Sequence, residues 1–340
     1  MDKYDFNIKK VIVHILESQT GIPVLSDEEL DYGSEFGEFL REHIYKVYTS
    51  DDIKTCSFYE TESEVFKMLS GYTEDRFAEK SRNIATYLYG IMNSNIEIPS
   101  ADLIVVQYSI NKTNYLALLK MNYKSSYTHM TSCDEYGGNV NEVIMHKALL
   151  PNEGQKLSEA ALICLDDLTL RVIEKKYDVN GAKENYFSKR FLQCSSSLSP
   201  KAKLNIVTKA VEKVQEKFIE DNEQFEAKMK AKSVIHSEFE EQGALNVSEI
   251  AEKIFEEEPE MKAEFEEQID KYRLSTDEIS LQNSSSAKKF SQQHLKTDTG
   301  IEIKIPMEQY ENPDSIEFIT NQDGTVSVLI KNINQLYSKM

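Results

Sequence analysis

The segment covering residues 181–213 concentrates basic side chains whose types and spacing suit the binding of an anion. It contains seven Lys or Arg residues and two Glu residues, a net charge of +5. Lysines further along recur at every fourth position, which places them on one face of a helix. Such side chains bind phosphate groups without reading a base sequence. The candidate binding residues are Lys183, Lys189, Arg190, Lys201, Lys203, Lys209, Lys213 and Lys217.

Two local patterns in this segment bear on phosphate binding. Lys201 and Lys203 fall in the predicted first turn of a helix, where the helix dipole favours a bound phosphate. The stretch Tyr186-Phe187-Ser188-Lys189-Arg190-Phe191 interleaves aromatic and basic residues. These patterns indicate either a surface that holds a phosphate backbone or a solvated amphipathic helix beside buried aromatic residues.

Other residues that could do chemistry show no catalytic pattern. The six histidines and four scattered cysteines lack the spacing of metal ligands, and no phosphate-binding glycine loop or nucleophile motif occurs. His14 lies in an apolar run, which predicts a buried, hydrogen-bonded histidine. Asp166-Asp167 lies between two apolar runs, which predicts a turn. We therefore predict no catalytic residue, cofactor or metal, with a hydrolase using His14 or the aspartate pair as a third hypothesis.

The charge of the chain changes sign after the basic segment. Residues 216–278 carry 20 acidic and 8 basic residues, a net charge of −12 in a 340-residue chain of net charge −19. Such a charge opposes indiscriminate binding of nucleic acid, yet it leaves room for a local site, because charges act within about 8 Å at physiological salt. The acidic stretch predicts solvated helix faces, a docking surface for a basic protein, or partial mimicry of DNA.

The sequence patterns of the helices and strands that carry the candidate residues predict an α+β protein. An antiparallel sheet with helices packed on one face is expected first, followed by a helical region and a small C-terminal β unit. Ser199-Pro200 predicts the start of a helix, and Leu204, Val207, Val211, Val214 and Phe218 continue as its apolar stripe. We predict strands over 8–16, 103–110, 115–121, 160–165 and 169–174, helices over 35–47 and 77–92, and a hairpin over 315–330.

Three domains follow from these elements. They are an N-terminal α+β domain over 1–195, an acidic helical region over 196–280 and a C-terminal β-hairpin unit over 281–340. The apolar run at 11–16 is too short for a membrane span or signal peptide, and unpaired thiols fit a reducing compartment. We therefore expect a cytoplasmic protein without a membrane partner.

Three parts of the sequence resemble the bacterial 37-kDa nucleoid-associated protein family. They are the opening run Ile8-Lys9-Lys10-Val11-Ile12-Val13-His14-Ile15-Leu16, the stretch Asn185-Tyr186-Phe187-Ser188-Lys189-Arg190-Phe191-Leu192, and the C-terminal order of Lys289-Phe290, Gly300-Ile301-Glu302-Ile303 and Val328-Leu329-Ile330-Lys331. The sequence departs from the family pattern at Gln193-Cys194-Ser195-Ser196-Ser197, where the family commonly carries Lys-Gly-Arg and further basic residues.

The resemblance implies a cytoplasmic, nucleoid-located protein that associates with double-stranded DNA and has no known enzymatic activity. It also implies contact with DNA-handling enzymes such as type II topoisomerases. Our first hypothesis is therefore a non-enzymatic protein that binds double-stranded DNA with little sequence specificity through its basic segment. The alternative is an adaptor whose acidic helical region docks a basic or DNA-handling partner. A homodimer is the candidate assembly, because pairing two basic segments doubles the local positive field.

Overall fold

The computed structural model describes residues 1–18, 21–220, 223–282, 284–321, 325–335 and 337. The chain forms two compact units, unit 1 over Met1–Ser199 and unit 2 over Pro200–Met340. The architecture is α+β, as predicted. The division into three domains at 195/196 and 280/281 stays a prediction.

Unit 1 contains twelve strands and three α-helices among its described residues. The strands are β1 (Asn7–Leu16), β2 (Val24–Leu25), β3 (Lys54–Phe58), β4 (Ala101–Ile110), β5 (Thr113–Asn122), β6 (Lys124–Cys133), β7 (Asn139–Leu149), β8 (Glu159–Cys164), β9 (Leu170–Ile173), β10 (Tyr177–Val179), β11 (Ala182–Glu184) and β12 (Cys194–Ser196). The helices are α1 (Ser34–Tyr48), α2 (Glu64–Leu69) and α3 (Phe77–Asn93), with 3₁₀ turns at Lys3–Asp5 and Glu74–Arg76 and a π-helical segment at Phe187–Leu192.

Eight of these strands form one antiparallel sheet in the order β12-β3-β9-β8-β5-β4-β1-β2. The central hairpin β4–β5 was predicted with a four-residue connection, but its turn contains only Asn111 and Lys112. Both residues have positive φ angles, 47° and 74°. Such a two-residue turn matches the right-handed twist of the paired strands, so pairing continues up to it.

Helices cover both faces of the sheet, so the prediction that they pack on one face was wrong. Leu103 and Val105 of β4 share a core with Leu88 of α3. Ile104 and Val106, on the opposite face, share a second core with Ile44 of α1. The apolar run along β4 explains the arrangement, because a strand buried on both faces has apolar residues at every position instead of every second one.

Strands β6 and β7, which lie between β5 and β8 in the sequence, form a separate two-stranded ribbon outside the sheet. Nearly every residue of both strands is exposed. At its tip the Asp134 carboxylate accepts hydrogen bonds from the backbone N–H groups of Tyr136 and Gly138, at 2.9 and 2.6 Å. The ribbon therefore makes little contribution to the two cores of the sheet.

Unit 2 is mostly helical. Its helices are α4 (Pro200–Phe218), α5 (Gln224–Gln242), α6 (Val247–Ile254), α7 (Pro259–Asp270), α8 (Ser284–Lys288) and α9 (Met307–Tyr310). Among its described residues, the strands pair as three two-stranded ribbons. They are β13 (Ala244–Asn246) with β14 (Glu278–Ser280), β15 (Gln292–Lys296) with β16 (Glu302–Pro306), and β17 (Ile316–Thr320) with β18 (Val326–Ile330).

The predicted start of α4 and the first four positions of its apolar stripe are confirmed. Pro200 opens the helix, and Leu204, Val207, Val211 and Val214 are buried in one core with α5, α6 and α7. Phe218, the last predicted position, lies outside this core with 40% of its surface exposed. The predicted C-terminal hairpin is present as β17–β18. Residues 322–324 of its predicted turn lie outside the described residues. Because its apolar stripe faces the core, α4 exposes its opposite side, which carries most of the candidate lysines.

Candidate nucleic-acid interface

The candidate residues divide between the two units. Lys183, Lys189 and Arg190 belong to unit 1, whereas Lys201, Lys203, Lys209, Lys213 and Lys217 belong to α4 of unit 2. Each unit therefore has its own group of cations.

In unit 1, two lysines keep exposed ammonium groups, and the arginine is neutralised. Lys183 lies on β11 and Lys189 in the π-helical segment, and neither makes an ion pair with the described residues. Lys183 faces Asp178 across the β10–β11 pair, which reduces its field. The Arg190 guanidinium donates from Nε and Nη2 to Oε2 of Glu184, at 2.9 and 2.8 Å. Lys189 is thus the freest cation of this group.

The aromatic residues around Lys189 belong to the core. Tyr186, Phe187 and Phe191 have no exposed surface, and the rings of Phe187 and Phe191 lie 5.1 Å apart. The π-helical segment is held by Ser188, whose N–H and hydroxyl both donate to Glu174. Buried rings cannot stack on bases, so this stretch offers a phosphate charge contact without an aromatic platform.

The serine-rich stretch at residues 195–197 lies at the edge of the sheet. Strand β12 pairs with β3, and Ser195 and Ser196 are exposed. The Ser195 hydroxyl donates to the Ser57 carbonyl at 3.3 Å, and the Ser197 hydroxyl to the Thr55 carbonyl at 2.9 Å. Hydroxyls engaged with the neighbouring strand supply no positive charge at this edge.

In unit 2, Lys209 and Lys213 lie one helical turn apart on the outer side of α4. Both are exposed, and neither makes an ion pair with any described residue. They line a cavity of about 200 Å³ together with Asn205, Gln268 and Tyr272. Two ammonium groups beside amide and phenol groups can hold adjacent phosphates by charge and hydrogen bonding.

Two of the remaining predicted lysines of α4 are neutralised, and the third, Lys201, lies near Lys289. The Lys203 ammonium contacts Asp277 at 2.7 Å, and Lys217 is paired with Glu264 of α7. Lys201 lies close enough to Lys289 that its charge lowers the pKa of Lys289. The predicted stripe Lys209, Lys213 and Lys217 therefore has free charge over only its first two positions.

Sequence analysis did not identify Lys232 and Lys289 as site residues. Burial lowers the pKa of Lys232, and the Lys289 charge lowers it further. Burial also lowers the pKa of Lys289, with Lys201 as a second cause. Lys232 and Lys289 line a cavity of about 410 Å³ with Phe290 and His294. Glu212 lines the same cavity and raises the pKa of Lys289, which partly offsets the repulsion between the cations. No local pattern reveals the group, because its members are far apart in sequence.

The candidate catalytic groups have structural roles. His14 is fully buried; its Nδ1 accepts from the Ser26 N–H at 3.2 Å, and its Nε2 lies 3.1 Å from the Ser81 hydroxyl. Both nitrogens are therefore hydrogen-bonded, as predicted. Asp167 caps the β8–β9 turn by accepting from the N–H and hydroxyl of Thr169 at 2.9 and 2.7 Å. These bonds lower the pKa of Asp167.

The described part of the chain contains no group of three or more His, Cys, Asp or Glu residues placed to hold a metal ion. Within the same residues, no helix has the length and apolar character needed to cross a membrane.

The fold and the exposed lysines define a two-unit α+β protein with a candidate anion-binding surface in each unit. A model of the family described as nucleoid-associated protein YejK matches residues 12–337, so the chain belongs to that family. The match covers both units and confirms the resemblance that the sequence suggested. A comparison with curated proteins found no match. The protein therefore has a nucleoid-associated role.

Proposed function

We propose that the protein is a non-enzymatic component of the bacterial nucleoid that binds double-stranded DNA in the cytoplasm with little sequence specificity. Unit 2 supplies the main phosphate contacts through Lys209 and Lys213, and Lys201, Lys232 and Lys289 extend the cationic surface. Lys183 and Lys189 supply weaker contacts in unit 1. Membership of a nucleoid-associated family supports this function.

The observation that carries the proposal is the state of Lys209 and Lys213. In a chain of net charge −19 they are exposed and make no ion pair with the described residues. By contrast, Lys203 and Lys217 on the same helix are neutralised by acidic partners. Free cations one helical turn apart can neutralise two phosphates and release their counterions, which favours binding.

Little sequence specificity follows from the kind of side chain available. A lysine ammonium is a point charge that holds a phosphate without the bidentate geometry by which arginine reads guanine. Arg190, the one arginine among the candidate residues, has two of its nitrogens bonded to Glu184. Phosphate contacts therefore position the DNA without selecting a base sequence.

Binding to a fluorescent 30-base-pair duplex, measured by anisotropy at several salt concentrations, tests the site. The variant Lys209→Glu/Lys213→Glu is compared with Lys112→Glu/Lys230→Glu, which makes the same change in net charge at exposed lysines outside the site. We expect the first variant to lose at least about tenfold in affinity at low salt. Its log–log salt slope should be shallower by about 1.8, since two phosphate contacts are lost.

The matched variant separates a local site from a general charge effect. An equal loss in both variants would contradict the assignment to Lys209 and Lys213, and unchanged binding in both would place the contacts elsewhere. A duplex of scrambled sequence should bind with the same affinity as the first duplex, because phosphates carry no sequence information. Contact with a type II topoisomerase and formation of a homodimer stay predictions from the sequence.

A further inference from the structure

A cavity of about 1140 Å³ lies in unit 2. None of the predicted lysines of α4 lines it, but it shares Gln215, Met229 and Ala231 with the 410 Å³ cavity of Lys232 and Lys289. The lining of the larger cavity comes from the C-terminal end of α4, from α5, from the segment joining α6 and α7, and from Tyr310 and Phe318 near the C-terminal hairpin. We call it the acidic groove. Two turns of α-helix, about 11 Å long and 10 Å across, occupy about 850 Å³, so the groove has room for such a segment.

The floor of the groove is apolar. Met229, Phe255 and Met261 line it and are buried, while Phe218 lines it with 40% of its surface exposed. Methionine side chains adapt their shape to different apolar partners. Covering an exposed phenylalanine removes apolar surface from water, which favours binding. This floor suits the apolar stripe of an amphipathic helix.

The rim of the groove is acidic. Glu223, Glu226, Glu258 and Glu260 line it, and all four are exposed. None of them makes an ion pair within the described part of the chain, although Glu226 accepts a hydrogen bond from the Thr320 hydroxyl at 3.1 Å. Lys230 is a cation that lines the same groove. Four carboxylates and one ammonium group give the rim a net charge that attracts cations and repels DNA phosphates.

A buried polar atom in the groove wall also lacks a partner. Gln215 is only 2% exposed, and its amide Nε2 donates to the Ala227 carbonyl at 2.9 Å. Its Oε1 has no hydrogen-bond partner among the described residues. A buried acceptor left unpaired is unfavourable, so this wall of the groove carries an uncompensated free-energy cost.

We propose that the acidic groove docks a basic amphipathic helix of a partner protein. The apolar side of that helix covers Phe218 and the methionines, and its lysines or arginines contact the four glutamates. Charge complementarity selects this occupant over nucleic acid. The same chain can therefore bind DNA through its lysines and a basic protein through the groove.

The test uses the full chain and a fluorescein-labelled 18-residue Leu/Lys peptide whose leucines form one helical stripe. A peptide of the same composition with the leucines dispersed serves as the first control. Anisotropy in 0.15 M salt should show that the striped peptide binds at least about tenfold more tightly than the dispersed one, because only a stripe covers an apolar floor. Equal affinity would overturn the proposal.

Two variants with the same net charge separate the groove from the acidic surface as a whole. Glu223→Gln/Glu258→Gln/Glu260→Gln removes three rim charges, whereas the control variant Glu240→Gln/Glu241→Gln/Glu266→Gln removes three exposed charges elsewhere in unit 2. We expect the rim variant to bind the striped peptide about tenfold more weakly and the control variant to change affinity by less than about twofold. Equal losses in the two variants would overturn the proposal.

Two further measurements test the apolar floor and the independence of peptide binding from DNA binding. Phe218→Ala should weaken the striped peptide by about fivefold or more without unfolding the chain, since the ring is partly exposed. An unchanged affinity would show that the floor is not covered. The rim variant should bind the 30-base-pair duplex at least as tightly as the wild type. The peptide result therefore stands or falls separately from the proposed DNA-binding function.

Discussion

His14 shows how one side chain links the fold of unit 1 to pH. The imidazole is buried on β1 and bonds to Ser26 and Ser81 through its two nitrogens. Burial lowers the pKa of His14 to about 4, with the nearby Arg82 charge as a second cause. The neutral ring is thus part of the folded structure, and protonating it requires placing a charge where water is excluded.

Acidification should therefore destabilise unit 1 through His14. The unfolded chain takes up the proton near pH 6.5 and the folded chain only near pH 4. The contribution to stability is fully present above pH 6.5 and is lost as the pH falls towards 4. The loss amounts to about 3 kcal/mol over that range. Urea unfolding at pH 7.0, 5.5 and 4.5 measures it.

Comparison with two variants isolates the histidine from the carboxylates that titrate in the same range. His14→Gln keeps an amide able to bond to Ser81 but cannot titrate, so its unfolding free energy should fall less steeply with acid than that of the wild type. His129→Gln, on the exposed strand β6, reports the effect of removing a surface imidazole. Parallel pH dependences for wild type and His14→Gln would refute the assignment.

At the scale of elements, the β6–β7 ribbon is an excursion from the sheet of unit 1. The chain leaves the sheet after β5 and re-enters it at β8, which pairs directly with β5. The ribbon carries exposed apolar side chains, including Tyr127 and Val143. A two-stranded ribbon alone in water has little independent stability, and its exposed side chains add no buried area to the fold.

Shortening the ribbon should therefore leave unit 1 folded. Replacing residues 127–145 by Asn-Gly keeps Ser126 opposite His146, as in the native register, and supplies residues suited to a two-residue turn. We expect the unfolding free energy to change by less than about 1 kcal/mol, because no buried side chain is removed. Urea unfolding followed by circular dichroism checks this.

A buried position provides the contrasting control. Leu118→Ala on β5, whose side chain is fully buried, should cost about 2–5 kcal/mol in the same assay. A comparable loss on shortening the ribbon would mean that the ribbon is covered by other parts of the protein in solution.

The elements that could be predicted are those whose signals are local. A few consecutive residues are enough to predict the apolar runs of β4 and β5 and the start of α4 at Ser199-Pro200. The packing of helices on both faces of the sheet was not predicted. The unbroken apolar run of β4 indicates it, because a strand buried on both faces has apolar residues at every position. The ribbon was missed because it lacks an apolar face that would set a period of two.

The candidate site was less predictable than the fold, because charge pairing depends on distant residues. Lys203 and Lys217 look like Lys209 and Lys213 in the sequence, yet Asp277 and Glu264 neutralise the first two. Lys232 and Lys289 approach each other only after unit 2 folds. Spacing along one helix identifies which lysines share a face, but not which of them stay free.

At the scale of the whole molecule, attraction and repulsion act over different ranges. The lysine sites attract phosphates at contact distance, while the net charge of −19 repels the duplex as it approaches. The Debye length is about 10 Å in 0.1 M salt and about 3 Å in 1 M salt. Acidic residues that lie away from the lysines therefore influence DNA binding mainly at low salt.

Neutralising remote acidic residues should accordingly strengthen DNA binding in a salt-dependent way. The variant Glu240→Gln/Glu241→Gln/Glu266→Gln leaves every candidate lysine in place and removes three negative charges. We expect it to bind the 30-base-pair duplex about threefold more tightly than the wild type in 0.05 M salt, with the gain vanishing by about 0.3 M as screening removes the long-range repulsion. A gain that persists at high salt would indicate a new local contact. No gain at low salt would mean that the acidic helices lie outside the field experienced by the DNA.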